Sequence, residues 1–252
     1  MLELSQNNEA DIMLNALVGS DGMEPTINAI NSGINIALSN KESIVQAGSI
    51  LTRLAKKNKV NLKKVSDVVA EVLIEEKVSH VFVISGGASL HLIHSLADNG
   101  NIQYICNHNE QASAMAADGY SRVSGNIGVA LTTSGPGATN LITGICCSYY
   151  DSVPTLFITG QVSTFRMKGD TGVRQIGFQE TPIVDVVKSI TKYAYTINHP
   201  SEIKYQIQKA LHIARSGRPG PVLIDIPDDL QRANIESSLL KNFQPDIEQE
   251  KG

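Results

Sequence analysis

The sequence predicts an α/β protein with an open parallel sheet and helices on both faces, preceded by a short βαβα segment. Short apolar runs alternate with helical stretches along most of the chain, an order typical of parallel strands joined by helical crossovers. In the larger, second part the runs are apolar at consecutive positions, as in strands that are buried on both sides. Sheets of this kind bind ligands beyond the carboxyl ends of their strands.

The first part of the chain, residues 11–60, predicts two strands and two helices. The apolar run Asp11–Val18 predicts a buried strand, and Pro25 suits the first turn of a helix that ends at Gly33. Ile34–Ser39 predicts a second strand, and Asn40 is a suitable N-cap for a second helix. The apolar positions of that helix follow helical spacing and are Ile44, Ala47, Leu51 and Leu54.

The second part predicts a sheet of six strands with five helices between them. The strands are Val81–Ile84, Gln103–Cys106, Gly128–Thr132, Thr155–Thr159, Tyr193–Ile197 and Val222–Ile226. The helices are Ser66–Glu76, Leu90–Asp98, Gln111–Val123, Ala138–Tyr149 and Ser201–Ser216. Because Glu110, Gly135 and Gln161 all fall just after strands, we expect one edge of the sheet to collect them. The polar, acidic residues from about Asn234 onward indicate a linker.

Composition argues against several classes of protein. A hydrophobic content of 42% supports a packed core, and a formal net charge of -4 gives no reason to expect nucleic acid or an anionic membrane as partner. No run is apolar over enough residues to span a bilayer and the N-terminus lacks a secretory signal, so we expect a cytoplasmic protein. The three cysteines, Cys106, Cys146 and Cys147, lack the spacing of a disulfide framework or a metal site, and we expect reduced thiols.

A series of short motifs marks the chain from about Lys63 to about Gln231. In order they are Gly86-Gly87-Ala88, His108-Asn109-Glu110-Gln111, Ala116-Ala117-Asp118-Gly119-Tyr120, Thr133-Ser134-Gly135-Pro136-Gly137-Ala138-Thr139-Asn140, Asp151-Ser152-Val153-Pro154, Gly160-Gln161-Val162, Phe178-Gln179-Glu180 and Gly217-Arg218-Pro219-Gly220-Pro221. With them, this segment resembles the pyrimidine-binding domain of thiamine diphosphate enzymes, most closely the acetolactate synthase group. The resemblance implies the fold of that domain, thiamine diphosphate as cofactor, a small 2-oxo acid as substrate and a place in branched-chain amino acid biosynthesis.

The resemblance implies that Glu110 is the catalytic residue. In the family, the matching glutamate hydrogen-bonds a nitrogen of the aminopyrimidine ring and so promotes removal of the thiazolium C2 proton. A carboxyl group shielded from water keeps its proton more easily and can share it with a ring nitrogen, whereas the helix N-terminus after Glu110 favours the anion. The sequence leaves open which effect is larger. Taken alone, Glu110 is equally consistent with an acid that caps a helix at the surface.

The same resemblance predicts the remaining residues of the site. The expected cofactor-binding residues are Glu110 with Gly86, Gly87, Ala88, Gly135, Pro136, Gly137 and Asn140, and the expected substrate-channel residues are Gln161, Phe178 and Gln179. Glycine lets the backbone approach a flat ligand closely, although Gly86–Ala88 is also consistent with a plain turn between a strand and a helix. The lead-in Arg174-Gln175-Ile176-Gly177 departs from the synthase pattern, which leaves specificity for pyruvate open.

Half of the family's site is not expected in this chain. In the family, Mg²⁺ and the diphosphate are held by a second domain with a Gly-Asp-Gly loop and a downstream asparagine. The sequence has no such arrangement, so no metal site is predicted. Because the family's site forms between two subunits, the resemblance implies a homodimer or hetero-oligomer, with a diphosphate-binding domain as partner.

The first sixty residues resemble a different family, deoxyxylulose phosphate reductoisomerase. The motifs are Asn15-Ala16-Leu17-Val18-Gly19-Ser20, Glu24-Pro25-Thr26 and Ala37-Leu38-Ser39-Asn40-Lys41-Glu42-Ser43, similar to an internal piece of its NADPH-binding domain. The Gly-rich nucleotide fingerprint and the Asp-Ser-Glu-His metal motif of that family are missing, so we expect no catalysis from this segment. A gene fusion, an engineered join and an assembly artefact would all leave such a sequence.

The predicted organisation is a reductoisomerase-like fragment at 1–61, a pyrimidine-binding domain at 62–231 and a truncated linker at 232–252. The leading hypothesis is the pyrimidine-binding half of a decarboxylating carboligase that is inactive without a diphosphate-binding domain. The alternatives are a related decarboxylase or lyase on another substrate, and a catalytically dead dimerisation module. The missing motifs argue against a fourth, a nicotinamide-dependent reductoisomerase.

Overall fold

The computed structural model describes residues 12–15, 23–38, 62–237 and 240–245. The described residues form two compact units. The smaller unit contains those up to Lys64 and those within Ala233–Leu240, and the larger contains Val65–Arg232 and those after Leu240. The predicted helix after Asn40 lies outside the described residues.

The smaller unit contains two pairs of strands. β1 (Ile12–Asn15) and β2 (Asn35–Leu38) pair in parallel, and helix α1 (Met23–Asn31) lies between them in the chain. This agrees with the predicted strand, helix and strand. β3 (Leu62–Lys64) pairs antiparallel with a strand at Asn234–Glu236. That pair is not predicted, because strands of three residues show no periodicity and residues 234–236 were expected in a linker.

The larger unit contains a six-stranded parallel sheet, as predicted. Its strands are β4 (His80–Val83), β5 (Gln103–Cys106), β6 (Gly128–Thr132), β7 (Thr155–Gln161), β8 (Tyr193–Thr196) and β9 (Val222–Pro227), and Asn234–Glu236 of the smaller unit is β10. The spatial order is β5-β4-β6-β7-β9-β8, and all neighbours are parallel. The order confirms a sheet that winds outward in both directions from β4 and β6.

Nine helices are described in the whole chain, eight of them in the larger unit. After α1 they are α2 (Val65–Glu75), α3 (Leu90–Asn99), α4 (Glu110–Ser124), α5 (Pro136–Thr139), α6 (Ile142–Tyr150), α7 (Ile183–Val187), α8 (Ile203–Arg215) and α9 (Asp228–Gln231). Short 3₁₀ helices lie at Gly87–Ser89, Thr164–Arg166, Lys188–Ile190 and Pro200–Glu202. None of the helices in the described residues has the length and apolar character needed to cross a membrane.

The sheet of the larger unit is covered on both faces. One face presents a continuous row across five strands, formed by Phe82, Ala130, Phe157, Leu223 and Ala194. Residues of helices α4 to α7 pack on this row: Ala114, Ala117, Ala138, Leu141, Ile145, Ile183 and Val187. Because side chains alternate along a strand, the neighbouring buried strand residues point to the opposite face, where α2 contacts both α3 and α8. The predicted fold class is thereby confirmed.

Two differences from the predicted elements affect the site. The expected helix Ala138–Tyr149 is split into α5 and α6, with Asn140 at the C-cap of α5. β7 extends to Gln161, because Gly160 and Gln161 still pair with Ile226 and Pro227. Both differences lie at the carboxyl edge of the sheet. There, contacts between loops determine where a helix or strand ends, rather than the spacing of apolar residues.

Candidate active site

The carboxyl edge of the six-stranded sheet collects four of the predicted segments. Gly86–Ala88 follow β4, Glu110 begins the helix after β5, Gly135–Gly137 follow β6, and Gln161 ends β7. Because β4, β5, β6 and β7 are parallel and adjacent in the order β5-β4-β6-β7, these segments leave the sheet on the same side.

Glu110 does not cap its own helix. The N-cap is Asn109, whose Oδ1 accepts hydrogen bonds from the backbone N–H groups of Gln111 at 2.8 Å and Ala112 at 3.4 Å. The Glu110 carboxylate is bonded instead by Asn140, whose Nδ2 donates to Oε2 at 2.9 Å across thirty residues of sequence. Since Glu110 is half-buried and Asn140 is exposed, this pair lies at the surface end of the site.

The space beside the Glu110 carboxylate is kept open by a glycine. A Cβ on Gly137 would lie 3.6 Å from Oε1 of Glu110 and 2.8 Å from Cγ2 of Thr133. Pro136 precedes it at the start of α5, where its missing N–H is not needed. The result is a carboxyl group and a carboxamide beside the buried backbone of Gly137, and these two side chains can accept and donate hydrogen bonds.

Thr133 joins the loops that follow β4 and β6. Its hydroxyl accepts a hydrogen bond from Ala88 N at 3.2 Å, and a Cβ on Gly86 would lie 2.4 Å from the Cβ of Thr133. Ala88 O accepts a hydrogen bond from Gln231 Nε2 at 2.7 Å, and a Cβ on Gly160 would lie only 1.9 Å from that oxygen. Glycine at 86 and 160 is therefore required by packing within the chain.

The predicted glycine Gly87 differs from these two. It is exposed, and no described heavy atom would lie within 4 Å of a Cβ placed on it. Of the Gly86–Ala88 loop, Gly87 is thus the residue whose backbone faces outward from the sheet edge. The motif Thr133–Asn140 does not by itself indicate that Thr133 connects the two loops.

Gly135 and Gln179 are brought into contact. Gly135 has a φ of 60°, and a Cβ there would lie 2.7 Å from the Cβ of Gln179. Gln179 also has a positive φ, 62°, which is uncommon for a residue with a side chain. The neighbouring Phe178 has 85% of its side chain exposed. The segment that ends in Gln179 therefore packs its backbone on the Gly135 turn and leaves Phe178 free to contact another molecule.

Gln161 lies beneath this segment rather than at the surface. Its side chain is 2% exposed, and its Nε2 donates to Thr181 O at 2.8 Å and to Asp225 Oδ2 at 3.0 Å. Its Oε1 accepts a hydrogen bond from Val162 N at 3.0 Å. The amide is thus bonded on both sides by groups of the chain, and it ties β7 to the backbone after Gln179.

Asp225 is a buried acid that sequence reasoning missed. It lies on β9 with 1% exposure, and it accepts hydrogen bonds from the hydroxyls of Thr159 at 2.7 Å and Thr196 at 3.3 Å as well as from Gln161. Burial raises the pKa of Asp225 to about 7, although the three hydrogen bonds lower it. The available signal was a single acid within the apolar run of β9.

The next feature is whether side chains of the described residues cluster in a way that could bind a metal ion. Over the described ranges, no group of three or more His, Cys, Asp or Glu side chains is arranged to hold a metal ion. The site described above consists of one carboxyl group, one exposed carboxamide and glycine-rich backbone. These groups can donate and accept hydrogen bonds, and a carboxyl group can also transfer a proton.

Comparison with known proteins identifies two parts of the chain. Residues 63–187 match the family described as thiamine pyrophosphate enzyme, N-terminal TPP binding domain, and residues 1–48 match 1-deoxy-D-xylulose 5-phosphate reductoisomerase. Both matches confirm the resemblances that the motifs indicated.

The curated relatives are acetolactate synthases. Acetolactate synthase 2, chloroplastic, of Nicotiana tabacum is 46% identical over 170 residues, which is 68% of this chain and 25% of the relative. Acetolactate synthase 3, chloroplastic, of Brassica napus is 40% identical over 203 residues, 81% of this chain and 29% of the relative. Acetolactate synthase of Arthrospira platensis is 45% identical over 162 residues, 63% of this chain and 27% of the relative.

The chain thus spans about a quarter of the length of the relatives it matches. The matched segment contains β4 to β7 and the Glu110, Gly135 and Gln161 positions described above. Residues 63–187 thus belong to the thiamine pyrophosphate enzyme family, as an N-terminal TPP binding domain.

Proposed function

We propose that this chain is the pyrimidine-binding half of a thiamine diphosphate-dependent enzyme that decarboxylates a 2-oxo acid and joins the remaining fragment to a second carbonyl compound. The observation that supports this best is the Glu110–Asn140 pair beside Gly137, at the carboxyl edge of a parallel sheet. The acetolactate synthases named above make pyruvate the first substrate to test.

The residues present fit the pyrimidine end of thiamine diphosphate. An aminopyrimidine presents ring nitrogens and an amino group, and the carboxyl group of Glu110 can hold a proton at one such nitrogen. Gly137 leaves room at the position where its Cβ would lie 3.6 Å from that carboxyl group. The Asn140 amide fixes one oxygen of Glu110 at 2.9 Å, so the other is directed to the ligand.

Each part of the site then has a distinct task. When bound, thiamine diphosphate supplies the electron sink for decarboxylation. Glu110 holds and returns a proton at the ring nitrogen, and Asn140 keeps the carboxyl group in place. Phe178, with its largely exposed ring, excludes water from the side at which a substrate enters.

The proposed partners follow from the composition of the site. We propose that Mg²⁺ and the diphosphate are held by a diphosphate-binding domain of the same family, and that the assembly is a homodimer or hetero-oligomer. Within this chain, residues 62–231 would form the pyrimidine-binding domain and residues 1–61 would take no part in catalysis.

Complementation tests this proposal. The purified chain alone is expected to form no acetolactate from pyruvate, and to form it when mixed with a diphosphate-binding domain of the same family and Mg²⁺. The physical reason is that the diphosphate contacts, which dominate anchoring of the cofactor, lie outside this chain. Product is measured by mass spectrometry after reaction with ¹³C-labelled pyruvate.

One control and three possible outcomes separate the rival functions. The diphosphate-binding domain alone must be inactive. A mixture that converts other 2-oxo acids but not pyruvate would favour a related decarboxylase or lyase. A mixture that associates yet converts none of these acids would favour the catalytically dead dimerisation module. Acetolactate formed by the chain alone would contradict the proposal that the chain holds only half of the site.

A further inference from the structure

The segment from Lys168 to Glu180 is closed by one carboxylate. Oε1 of Glu180 accepts a hydrogen bond from Lys168 N at 2.7 Å. Oε2 accepts from Ile176 N at 3.0 Å and from Gly177 N at 3.3 Å. Glu180 and these three N–H groups form what we call the Glu180 clasp.

The clasp favours a charged carboxylate. Partial burial raises the pKa of Glu180, but the backbone N–H groups of Lys168, Ile176 and Gly177, and the positive charge of Lys168, together lower it below its ordinary value. Hydrogen bonds to an ionised acceptor are roughly twice as strong as those between neutral groups. The clasp therefore holds the two ends of the segment, twelve residues apart at Lys168 and Glu180.

Two further contacts fix the closed segment on the sheet edge. A Cβ on Gly177 would lie 2.8 Å from Cγ2 of Val162 and 3.0 Å from Arg166 O, so this backbone is packed tightly against the end of β7. Just after the clasp, Thr181 O accepts the hydrogen bond from Gln161.

The segment held in this way presents apolar side chains beside the proposed active site. Phe178 is 85% and Ile176 is 55% exposed, and both lie within four residues of Glu180. Between Phe178 and Glu180, Gln179 keeps its positive φ while it packs on Gly135. Such a conformation persists only where the surroundings enforce it, and the clasp supplies hydrogen bonds on the segment's other side.

We propose that Glu180 is a positioning residue that sets how Phe178 and Ile176 form the apolar wall against the 2-oxo acid substrate. The inference rests on the proposed function, because it assigns these side chains to the substrate side of the same site. Glu180 itself does not contact the substrate; it acts through the three backbone N–H groups of the clasp. Misplacement of a reacting group by about 1 Å can lower rates ~10²-fold.

Glu180→Gln in the complemented enzyme tests the inference. Glutamine keeps the size but has one acceptor oxygen, so it cannot serve both sides of the clasp. We expect the KM for pyruvate to rise about 10-fold or more, and the ratio of kcat/KM for pyruvate to that for 2-oxobutanoate, one methylene longer, to change by about 10-fold. Exchange of the thiazolium C2 proton should stay at the parent rate, because Glu110 and Asn140 are untouched. That exchange is followed by NMR in deuterated buffer.

Two variants make the result specific. Glu202→Gln is the matched control, because Glu202 also accepts a hydrogen bond from a backbone N–H group, that of Asn198 at 3.4 Å. It accepts a second from the hydroxyl of Tyr195, which lies on the edge strand β8. This variant should keep the parent KM and selectivity. Glu180→Asp keeps the charge with a shorter reach, so it should change KM and selectivity in the same direction by less.

The outcomes separate this inference from the proposed function. Parent KM and selectivity in both Glu180 variants would overturn it, as would a loss of C2 exchange in proportion to turnover. In the chain alone, amide hydrogen exchange at Lys168, Ile176 and Gly177 should be about 10-fold faster in Glu180→Gln, and unchanged exchange would also overturn the inference. An inactive parent mixture would instead count against the proposed function.

Discussion

Replacing Glu110 by glutamine is expected to lower the turnover of the complemented enzyme by ~10²–10⁴-fold, the usual contribution of a general acid–base group. The glutamine oxygen can still accept the hydrogen bond from Asn140, which spans 2.9 Å in the parent chain, so the local structure should persist. The amide cannot exchange a proton with a ring nitrogen. Affinity for the cofactor should change far less, because we place the diphosphate and Mg²⁺ contacts on the partner domain.

Exchange of the thiazolium C2 proton isolates the step that Glu110 assists. Glu75→Gln is the matched control, since Glu75 is an exposed acid on α2 that pairs with Lys204 at 3.3 Å. We expect Glu75→Gln to retain the parent exchange rate and Glu110→Gln to lose most of it. If exchange in Glu110→Gln were as fast as in the parent assembly, Glu110 would not be the activating carboxyl group.

Asp225 is expected to make the fold less stable as the pH rises from its ordinary pKa of 3.8 to its folded pKa of about 7. Its pKa is about 7 in the folded chain, against an ordinary value of 3.8, so between these values the folded state binds the proton that the unfolded state releases. The stabilisation is complete below the unfolded pKa and is lost as the pH rises through the folded pKa. At about 1.4 kcal/mol for each pKa unit, the effect is on the order of 4 kcal/mol.

Asp225→Asn is expected to remove this pH dependence. The asparagine oxygen can accept from Gln161 and Thr196, and its amino group can donate to the Thr159 hydroxyl. Urea unfolding of both chains at pH 5 and pH 8 should show the variant gaining roughly 3 kcal/mol relative to the parent at the higher pH. The exposed acid Asp185 supplies the control, Asp185→Asn, which should follow the parent. Equal pH dependence in Asp225→Asn and the parent would show that Asp225 does not keep its proton.

The fold was predictable where local pattern and burial agree. Strands β4, β6, β7 and β9 are buried along nearly their whole length, so each is a largely apolar run between turn residues. The pair of β3 and β10 was not predictable, since each has three residues and Leu62 pairs with Glu236 from the far end of the sequence. The break between α5 and α6 was missed because Asn140 and Leu141 keep helical φ and ψ values, so the apolar spacing continues through it.

The site was predictable as a set of positions but not as a set of contacts. The motifs drew attention to Glu110, Gly137 and Asn140, and parallel strands explain why they share an edge. The hydrogen bond between Glu110 and Asn140, and the choice of Asn109 as helix cap, depend on side-chain geometry that no spacing shows. The assignment of these residues to the cofactor stays a prediction.

The residues that hold the site together are even less visible in the sequence. Asp225 bonds residues on β7 and β8, and Thr159 lies 66 residues before it. The motif that contains Glu180 does not indicate its role, since its three partners are backbone N–H groups and leave no mark on residue type. The Asp225 contacts depend on the sheet order β7-β9-β8, which brings distant strands side by side.

The central claim is that this chain provides half of a thiamine diphosphate site, and calorimetric titration of the cofactor with Mg²⁺ tests it most directly. The claim predicts saturable heat when the chain is mixed with a diphosphate-binding domain of the same family, with one cofactor bound for each pair, and little heat for either component alone. A mixture whose heat equals the sum of the two separate titrations would contradict it.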